Sequence, residues 1–330
     1  MPFLLVLLIT LAACQSAAEA ANTPVAEVVQ ATEIPPTETA VPTQPPSPTS
    51  RSVPAPPTGT VLVDDTGPTL ADLPEGWTKV TPGGDTRCAH NTDYAYYVKP
   101  GTINKLLLYF EGGGGCWDAA SCAVGSSFYD ADVGGDEDPS RRGGVFELSH
   151  PDNPFREYTA VYIPACNGDV HWGNTVQEYA SPDGGDDGRT LTIYHRGFVN
   201  AAAALDWAYS NVSNPDSVFV TGCSAGSSYT FAQYNTEKDN VQVRFYQAAG
   251  GGDAANFAAD LAAHLSSIHA AAPNFRSYTP SGDLHCILPR PQFYTTEVDG
   301  LKLTDWVQAL ADGKPVTSVK CETCQNETER

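Results

Sequence analysis

The residues best suited to chemistry sit at Gly222-Cys223-Ser224-Ala225-Gly226, directly after the apolar run Ser217 to Gly222 (SVFVTG). A serine flanked by glycines in a G-x-S-x-G pattern at a strand end reads as a sharp strand-to-turn elbow. It would lift the Ser224 hydroxyl to the top of a sheet, with the Ala225 amide beside it. A second element is the glycine run Gly112 to Gly115, which ends another apolar run, Lys105 to Phe110 (KLLLYF). Acyl transfer needs bare backbone N–H groups aimed at an oxygen that becomes negative, and residues without side chains let those groups come close. A hydroxyl nucleophile also needs a base and an acid, in the chain order Ser, then Asp or Glu, then His. Downstream of Ser224 the histidines are His264, His269 and His285. The first two fall within a predicted helix, whereas His285 lies in a loop, where a base of this kind belongs. Asp239, Asp253, Asp260 and Asp283 all precede His285, and spacing alone does not choose between them.

Stepping outward, the apolar runs at 105–110, 159–164 (TAVYIP) and 217–222 suit strands buried on both faces. Residues 197–211 (GFVNAAAALDWAYSN) place apolar groups at helical spacing, and 257–272 and 301–311 are further predicted helices with a short strand at 275–278 between them. This alternation predicts an α/β fold of the α/β-hydrolase type, a mostly parallel central sheet flanked by helices.

The 330-residue chain opens on FLLVLLITLAA, which ends at Cys14. An apolar run of that length closing on small residues reads as an export signal. Leu11-Ala12-Ala13-Cys14 looks like a bacterial lipobox, so residues 1–14 are expected to be a lipoprotein signal segment with Cys14 acylated. That would anchor the protein at a membrane surface outside the cytoplasm; a plain secretory signal is the alternative. Residues 15–58 are rich in Pro and Thr and hold almost no large apolar groups, so they read as a disordered tether. Residues 59–330 are then one catalytic-sized domain.

Setting Cys14 aside leaves an even number of cysteines in an exported chain, which favours disulfides over metal sites. Cys116 and Cys122 bracket a short loop and are expected to pair, as are Cys88 and Cys166. Cys286 is a partner for Cys321 or Cys324, and Cys223 is expected to be a packed thiol. No metal is expected at Cys321 and Cys324, because no second half-site of Cys or His follows them. A net charge of −21 disfavours a nucleic-acid partner. The runs DADVGGDED (130–138) and DGGDD (183–187) lack EF-hand spacing and read as solvated loops.

Four segments resemble the pectin acetylesterase family, the Notum-like serine carboxylesterases: YFEGGGGCWD (109–118), NPFREYTAVYIPACNGDVHWGN (153–174), GCSAGS (222–227) and GDLHCILPRPQFY (282–294). The resemblance runs from about Cys88 to Cys321. It implies hydrolysis of acyl esters by a Ser-His-Asp triad without metal or organic cofactor, on an acetylated extracellular polysaccharide such as pectin or a small ester. Carried over by position, it implies Ser224 as nucleophile, His285 as base and Asp239 as acid. The amides of Gly113, Gly114 and Ala225 would form the oxyanion hole, and Trp117 and the Asp169 to Gly173 loop would lie near the pocket. The chain departs from the family after the elbow. There the family carries a long stretch that includes the helix behind the serine, whereas Ser227 here runs straight into SYTFAQYNTEKD. Either later residues build that helix or a piece is missing. The departure keeps two alternatives open: a catalytically impaired glycan-binding relative, and an esterase for longer acyl chains.

Overall fold

The computed structural model describes residues 67–180, 190–227, 232–272 and 274–321. The expected signal segment, lipidation site, tether and Cys324 lie outside them. In chain order the first strands are β1 (Thr78–Val80), β2 (Tyr96–Lys99), β3 (Lys105–Phe110), β4 (Thr159–Ile163), β5 (Thr175–Ala180) and β6 (Thr190–His195). Helix α1 (Gly197–Asn211) leads to β7 (Ser217–Gly222) and β8 (Ala232–Tyr234), then α2 (Asn240–Ala248) and α3 (Ala254–Ala271). The chain closes with β9 (Arg276–Thr279), β10 (Glu297–Val298), β11 (Leu301–Lys302), α4 (Leu303–Ala311) and β12 (Val319–Lys320).

Five strands form the main sheet in the order β1-β2-β4-β3-β7. The half that carries the elbow, β4-β3-β7, is parallel, while β2 runs antiparallel to β4 and β1 antiparallel to β2. The sheet is thus parallel where the chemistry sits and antiparallel at its far edge. All five residues of β4 and the last five of β3 are buried, as their unbroken apolar runs require. Tyr109 stacks on Tyr162 across β3 and β4 at 5.5 Å, and Phe146 meets both rings edge-on. Helix α1 buries Ala204, Trp207 and Ala208 in the same core, its small residues allowing close approach.

A separate three-stranded parallel sheet, β12-β9-β8, carries the C-terminal half. Helix α3 starts at Ala254 rather than at 257 because Asp253 caps it, accepting from the amides of Ala255 and Asn256 at 2.9 and 3.0 Å. The closing helix starts at Leu303 rather than at 301, since Leu301 and Lys302 pair with Glu297 and Val298 around a tight turn. The two turn residues, Asp299 and Gly300, both have positive φ, 50° and 81°, as this hairpin class demands.

The expectation for β7 needs correction. After the elbow, Ser224–Ser227 make a single 3-10 turn, and the next described element is β8, a strand. No α-helix built from later residues follows the elbow among the described residues. One face of β7 is consequently open: Val218 and Val220, two apart and therefore on the same side, are 46 % and 49 % exposed. The opposite face is packed, with Phe219 meeting Phe155 at 4.8 Å.

Candidate active site

β7 pairs with β3 as far as Gly222 opposite Phe110, and the Cys223 amide continues the ladder by donating to the Phe110 carbonyl at 3.1 Å. The chain then turns. Ser224 has φ 48°, a left-handed conformation unfavourable for a serine, and the Gly226 amide closes the turn on the Cys223 carbonyl at 2.7 Å. A Cβ on Gly222 would collide with the Gly226 and Phe110 carbonyls, and one on Gly226 with those of Phe110 and Glu111. Both glycines are required because backbone fills the space that a side chain would take.

The glycine loop lies against this elbow. A Cβ on Gly112 would stand 2.6 Å from both the Cys223 carbonyl oxygen and Ser224 Cβ, so the loop and the serine are in contact. The loop is anchored outward, with the Gly115 amide donating to Phe128 O and the Asp130 amide to Gly113 O, each at 3.0 Å. The amides of Gly113 and Gly114 donate to no acceptor among the described residues. Two bare donors thus follow directly on the glycine that touches the serine.

Behind the loop is a set of residues to which the motifs assign no individual role, although the Asp169 to Gly173 loop is expected near the pocket. His171 Nε2 donates to the Glu111 carbonyl at 2.8 Å, which fixes the orientation of the Glu111–Gly112 peptide. Burial holds the His171 imidazole below its ordinary pKa, with its bond to Glu111 and the nearby Asp169 pulling the other way. Asp169 secures that histidine's loop, accepting from the His171 amide at 3.2 Å and from the Gly197 amide at the start of α1 at 2.7 Å. The Glu111 carboxyl is buried and ion-paired with Arg142, whose guanidinium lies over the Tyr162 ring at 5.6 Å. Burial pushes the Glu111 carboxyl up to about 8, with Arg142 pulling the other way. The only sequence signal for this group was a Glu ending an apolar strand.

On the opposite side, Asp239 caps α2: its Oδ1 accepts from the Val241 and Gln242 amides at 3.1 and 2.9 Å. The same carboxylate accepts from His285 Nδ1 at 2.9 and 2.8 Å and is 2 % exposed. With the Nδ1 proton committed there, Nε2 is the basic nitrogen of His285. The other acids are occupied elsewhere: Asp253 caps α3, Asp260 accepts from the Tyr246 hydroxyl, and Asp283 is exposed. His264 is exposed and His269 Nδ1 faces the Phe275 carbonyl at 3.3 Å. Asp239 and His285 are therefore the acid and imidazole that meet. Trp117 and Trp172 are half-exposed on the loops around the elbow, Trp117 lying edge-on to Phe128 at 5.5 Å.

Three disulfides join Cys88 to Cys166, Cys116 to Cys122 and Cys223 to Cys286. The third corrects two expectations. Cys223 is not a free thiol, and Cys286 pairs with neither Cys321 nor Cys324, because the fold brings the residue before Ser224 and the residue after His285 to a Cα separation of 5.5 Å. Cys321 is disulfide-bonded as well. Cys116 and Cys122 cluster with His195, and Cys223 and Cys286 with His285, but sulfurs committed to disulfides are not metal ligands. Bonds of this kind mark a chain matured in an oxidising compartment outside the cytosol. Ser224 Oγ makes no hydrogen bond to His285 Nε2 among the described residues; the disulfide is what ties the two residues together. Bonds between nucleophile and base are often long or unformed in unliganded sites.

The pectinacetylesterase family model matches residues 80–251. A palmitoleoyl-protein carboxylesterase NOTUM of Schmidtea mediterranea is 30 % identical over 107 residues, 28 % of this chain and 19 % of that protein. Pectin acetylesterase 4 of Arabidopsis thaliana is 28 % identical over 147 residues, 42 % of this chain and 32 % of that protein. The chain thus aligns with less than a third of the planarian protein and about a third of the plant one. Among solved structures, the Wnt deacylase Notum from Drosophila superposes with a TM-score of 0.56 at 12 % identity, covering 75 % of this chain and 97 % of that one. That likeness is one of fold, and the fold is α/β-hydrolase-like.

Proposed function

The chain belongs to the pectinacetylesterase family, and from that premise and the geometry of its site we propose that it is a serine carboxylesterase that removes acyl groups from esters. The observation that carries this reading is the meeting of four parts: a left-handed Ser224 on an elbow, a glycine loop whose Gly112 touches it, an Asp239–His285 pair, and a disulfide binding that pair's loop to the elbow.

In the proposed reaction, Ser224 Oγ attacks the ester carbonyl while His285 Nε2 takes its proton. Asp239 holds the imidazole in that tautomer and stabilises it once charged. The developing oxyanion is received by the amides of Gly113, Gly114 and Ala225, each such donor supplying about 3 kcal/mol of transition-state stabilisation. His285 then returns the proton to the leaving alcohol, and a water activated by the same imidazole hydrolyses the acyl-enzyme. The names of the relatives point to acetyl groups on a polysaccharide as the first substrates to try, and to longer acyl chains as the second. We place the enzyme at the outer surface of a bacterial cell, tethered through a lipidated Cys14 and the Pro/Thr-rich segment.

Hydrolysis of 4-nitrophenyl acetate, 4-nitrophenyl octanoate and acetylated pectin by the wild type and by Ser224→Ala tests the reading. Turnover by the wild type that Ser224→Ala abolishes is the expected result. Identical rates for the two proteins would remove Ser224 from the chemistry. Tight retention of pectin without turnover would make the chain a binding protein. Loss of membrane association in Cys14→Ala checks the anchor.

A further inference from the structure

We infer that the Cys223–Cys286 disulfide is a positioning element for the reaction, holding the nucleophile and its base in register across a break in the sheet. The inference rests on the proposed esterase reading. It comes from how the two halves of the site are built.

The nucleophile half belongs to the five-stranded sheet, where β7 is the last strand and delivers Ser224. The acid–base half belongs to the three-stranded sheet and is internally stiff. There the amides of Glu237, Lys238 and Asn240 donate to the carbonyls of Pro280, Gly282 and Asp283 at 3.2, 3.0 and 3.0 Å. The Thr236 hydroxyl donates to the Leu284 carbonyl at 3.2 Å, and His285 is clasped by Asp239. Asp239 and His285 thus move as one body. No strand ladder joins β7 to β8 among the described residues, and no helix after the elbow spans the gap.

The bond that crosses this break attaches at the two most consequential places available, the residue before the nucleophile and the residue after the base. Both attachment points are backbone positions that need holding. Ser224 at φ 48° and Cys286 at φ 57° occupy the left-handed region, which ordinary residues adopt only where the surroundings impose it. Fixing the Cα atoms of Cys223 and Cys286 5.5 Å apart fixes how far the Ser224 hydroxyl can drift from the imidazole. A drift of about 1 Å at such a site lowers the rate by on the order of a hundredfold. Of the three disulfides between described residues this is the most accessible: Cys223 and Cys286 are partly exposed, whereas Cys88, Cys166, Cys116 and Cys122 are buried.

The test uses the full chain. Cys223→Ala/Cys286→Ala is compared with Cys88→Ala/Cys166→Ala, which opens a loop of similar length, 78 residues against 63, at a bond attached to neither the elbow nor the His285 loop. The expected result on 4-nitrophenyl acetate is a fall of about a hundredfold in kcat with KM changed by less than about threefold. The rate at which a fluorophosphonate labels Ser224 should fall in parallel. The Cys88/Cys166 variant, at a temperature below its Tm, should keep kcat within about threefold of the wild type. Retention of wild-type kcat by the Cys223/Cys286 variant, with Ser224→Ala dead, overturns the positioning role and leaves the esterase reading standing. Absence of turnover in the wild type itself would strike that reading instead.

If the Cys223/Cys286 variant melts below the assay temperature, the wild type is titrated with dithiothreitol, which closes to its cyclic disulfide as the protein disulfide becomes two thiols. Activity should then be lost in step with alkylation of Cys286 and return on reoxidation before alkylation. Activity that persists with Cys286 fully alkylated overturns the proposal by this second route.

Discussion

Gly112→Ala is the most direct probe of how the glycine loop serves Ser224. A methyl group there would sit 2.6 Å from Cys223 O and from Ser224 Cβ, and ordinary contact begins at 3.4 Å, so something must retreat by about 0.8 Å. Neither obstacle is a flexible side chain. Cys223 is held by the hydrogen bond its amide donates to the Phe110 carbonyl and by its disulfide, and Ser224 is held by the closed turn. The glycine loop therefore has to move outward and carry the Gly113 and Gly114 amides with it. A displacement approaching 1 Å costs on the order of a hundredfold, equivalent to about 2.7 kcal/mol of transition-state stabilisation. The loss should appear in kcat for 4-nitrophenyl acetate, with KM little changed, because the shifted donors act on the oxyanion rather than on the bound ester. Gly115→Ala is the matched control, since a Cβ there meets only Gly168 O at 3.7 Å and Gly115 does not have positive φ. Its kcat should stay within about threefold of the wild type, as no donor of the proposed hole moves. Should Gly112→Ala and Gly115→Ala lose the same factor, or should Gly112→Ala lose nothing, the loop is not the oxyanion cradle.

Two further experiments separate chemistry from support. Asp239→Asn should lower kcat by roughly four orders of magnitude through the wrong imidazole tautomer, as seen for such an exchange in the serine protease triad, while α2 keeps its cap. Asp253→Ala, which uncaps α3 instead, should lose about 1 kcal/mol of stability with kcat unchanged; a large activity loss in it would contradict the assignment. Above about pH 8, where the Glu111 carboxyl ionises, Arg142→Met leaves a buried charge without its partner and should destabilise the fold by about 3 kcal/mol, discounted for the partial exposure of the arginine. The sign of its pH dependence follows from Glu111, which burial has already pushed up to about 8 and which rises further without Arg142. A carboxyl raised above its unfolded value contributes stability at low pH that is lost as pH climbs through the folded value. The deficit in Tm relative to the wild type should therefore widen between pH 8 and pH 10, and a deficit that narrows there would refute the pairing.

The unbroken apolar runs of β3 and β4 were readable because burial on both faces leaves an unmistakable pattern, and G-x-S-x-G after such a run fixes where an elbow forms. The run of β7 looks the same, yet it has one open face. A strand's composition does not say whether a helix covers it, and among the described residues only a 3-10 turn lies between Ser224 and β8. Residue types left four acids open for His285, and spacing could not see that Asp239, the N-cap of α2, is the one whose carboxylate meets the imidazole. Cys223 misled for the same reason. A cysteine at the end of a buried strand looks like a packed thiol until the fold returns a loop from 63 residues downstream to meet it. Glu111 lies inside a recognised segment, but nothing in the sequence linked it to Arg142, 31 residues on and outside every motif.

These failures share one cause, and it bears on how the site holds together. A helix behind the nucleophile ordinarily steadies the elbow and offers its positive end to negative charge. Among the described residues a single 3-10 turn stands after the elbow, and the steadying comes from contacts remote in sequence. The structure supplies them through the Phe110 carbonyl, the Gly112 backbone against Ser224, the His171 bond to Glu111, and the link to Cys286. Each joins segments that no local pattern connects. An elbow held in this way should depend more heavily on its disulfide than one backed by a helix, so the fall in kcat on losing Cys223 and Cys286 measures how much of that support the covalent bond has taken over.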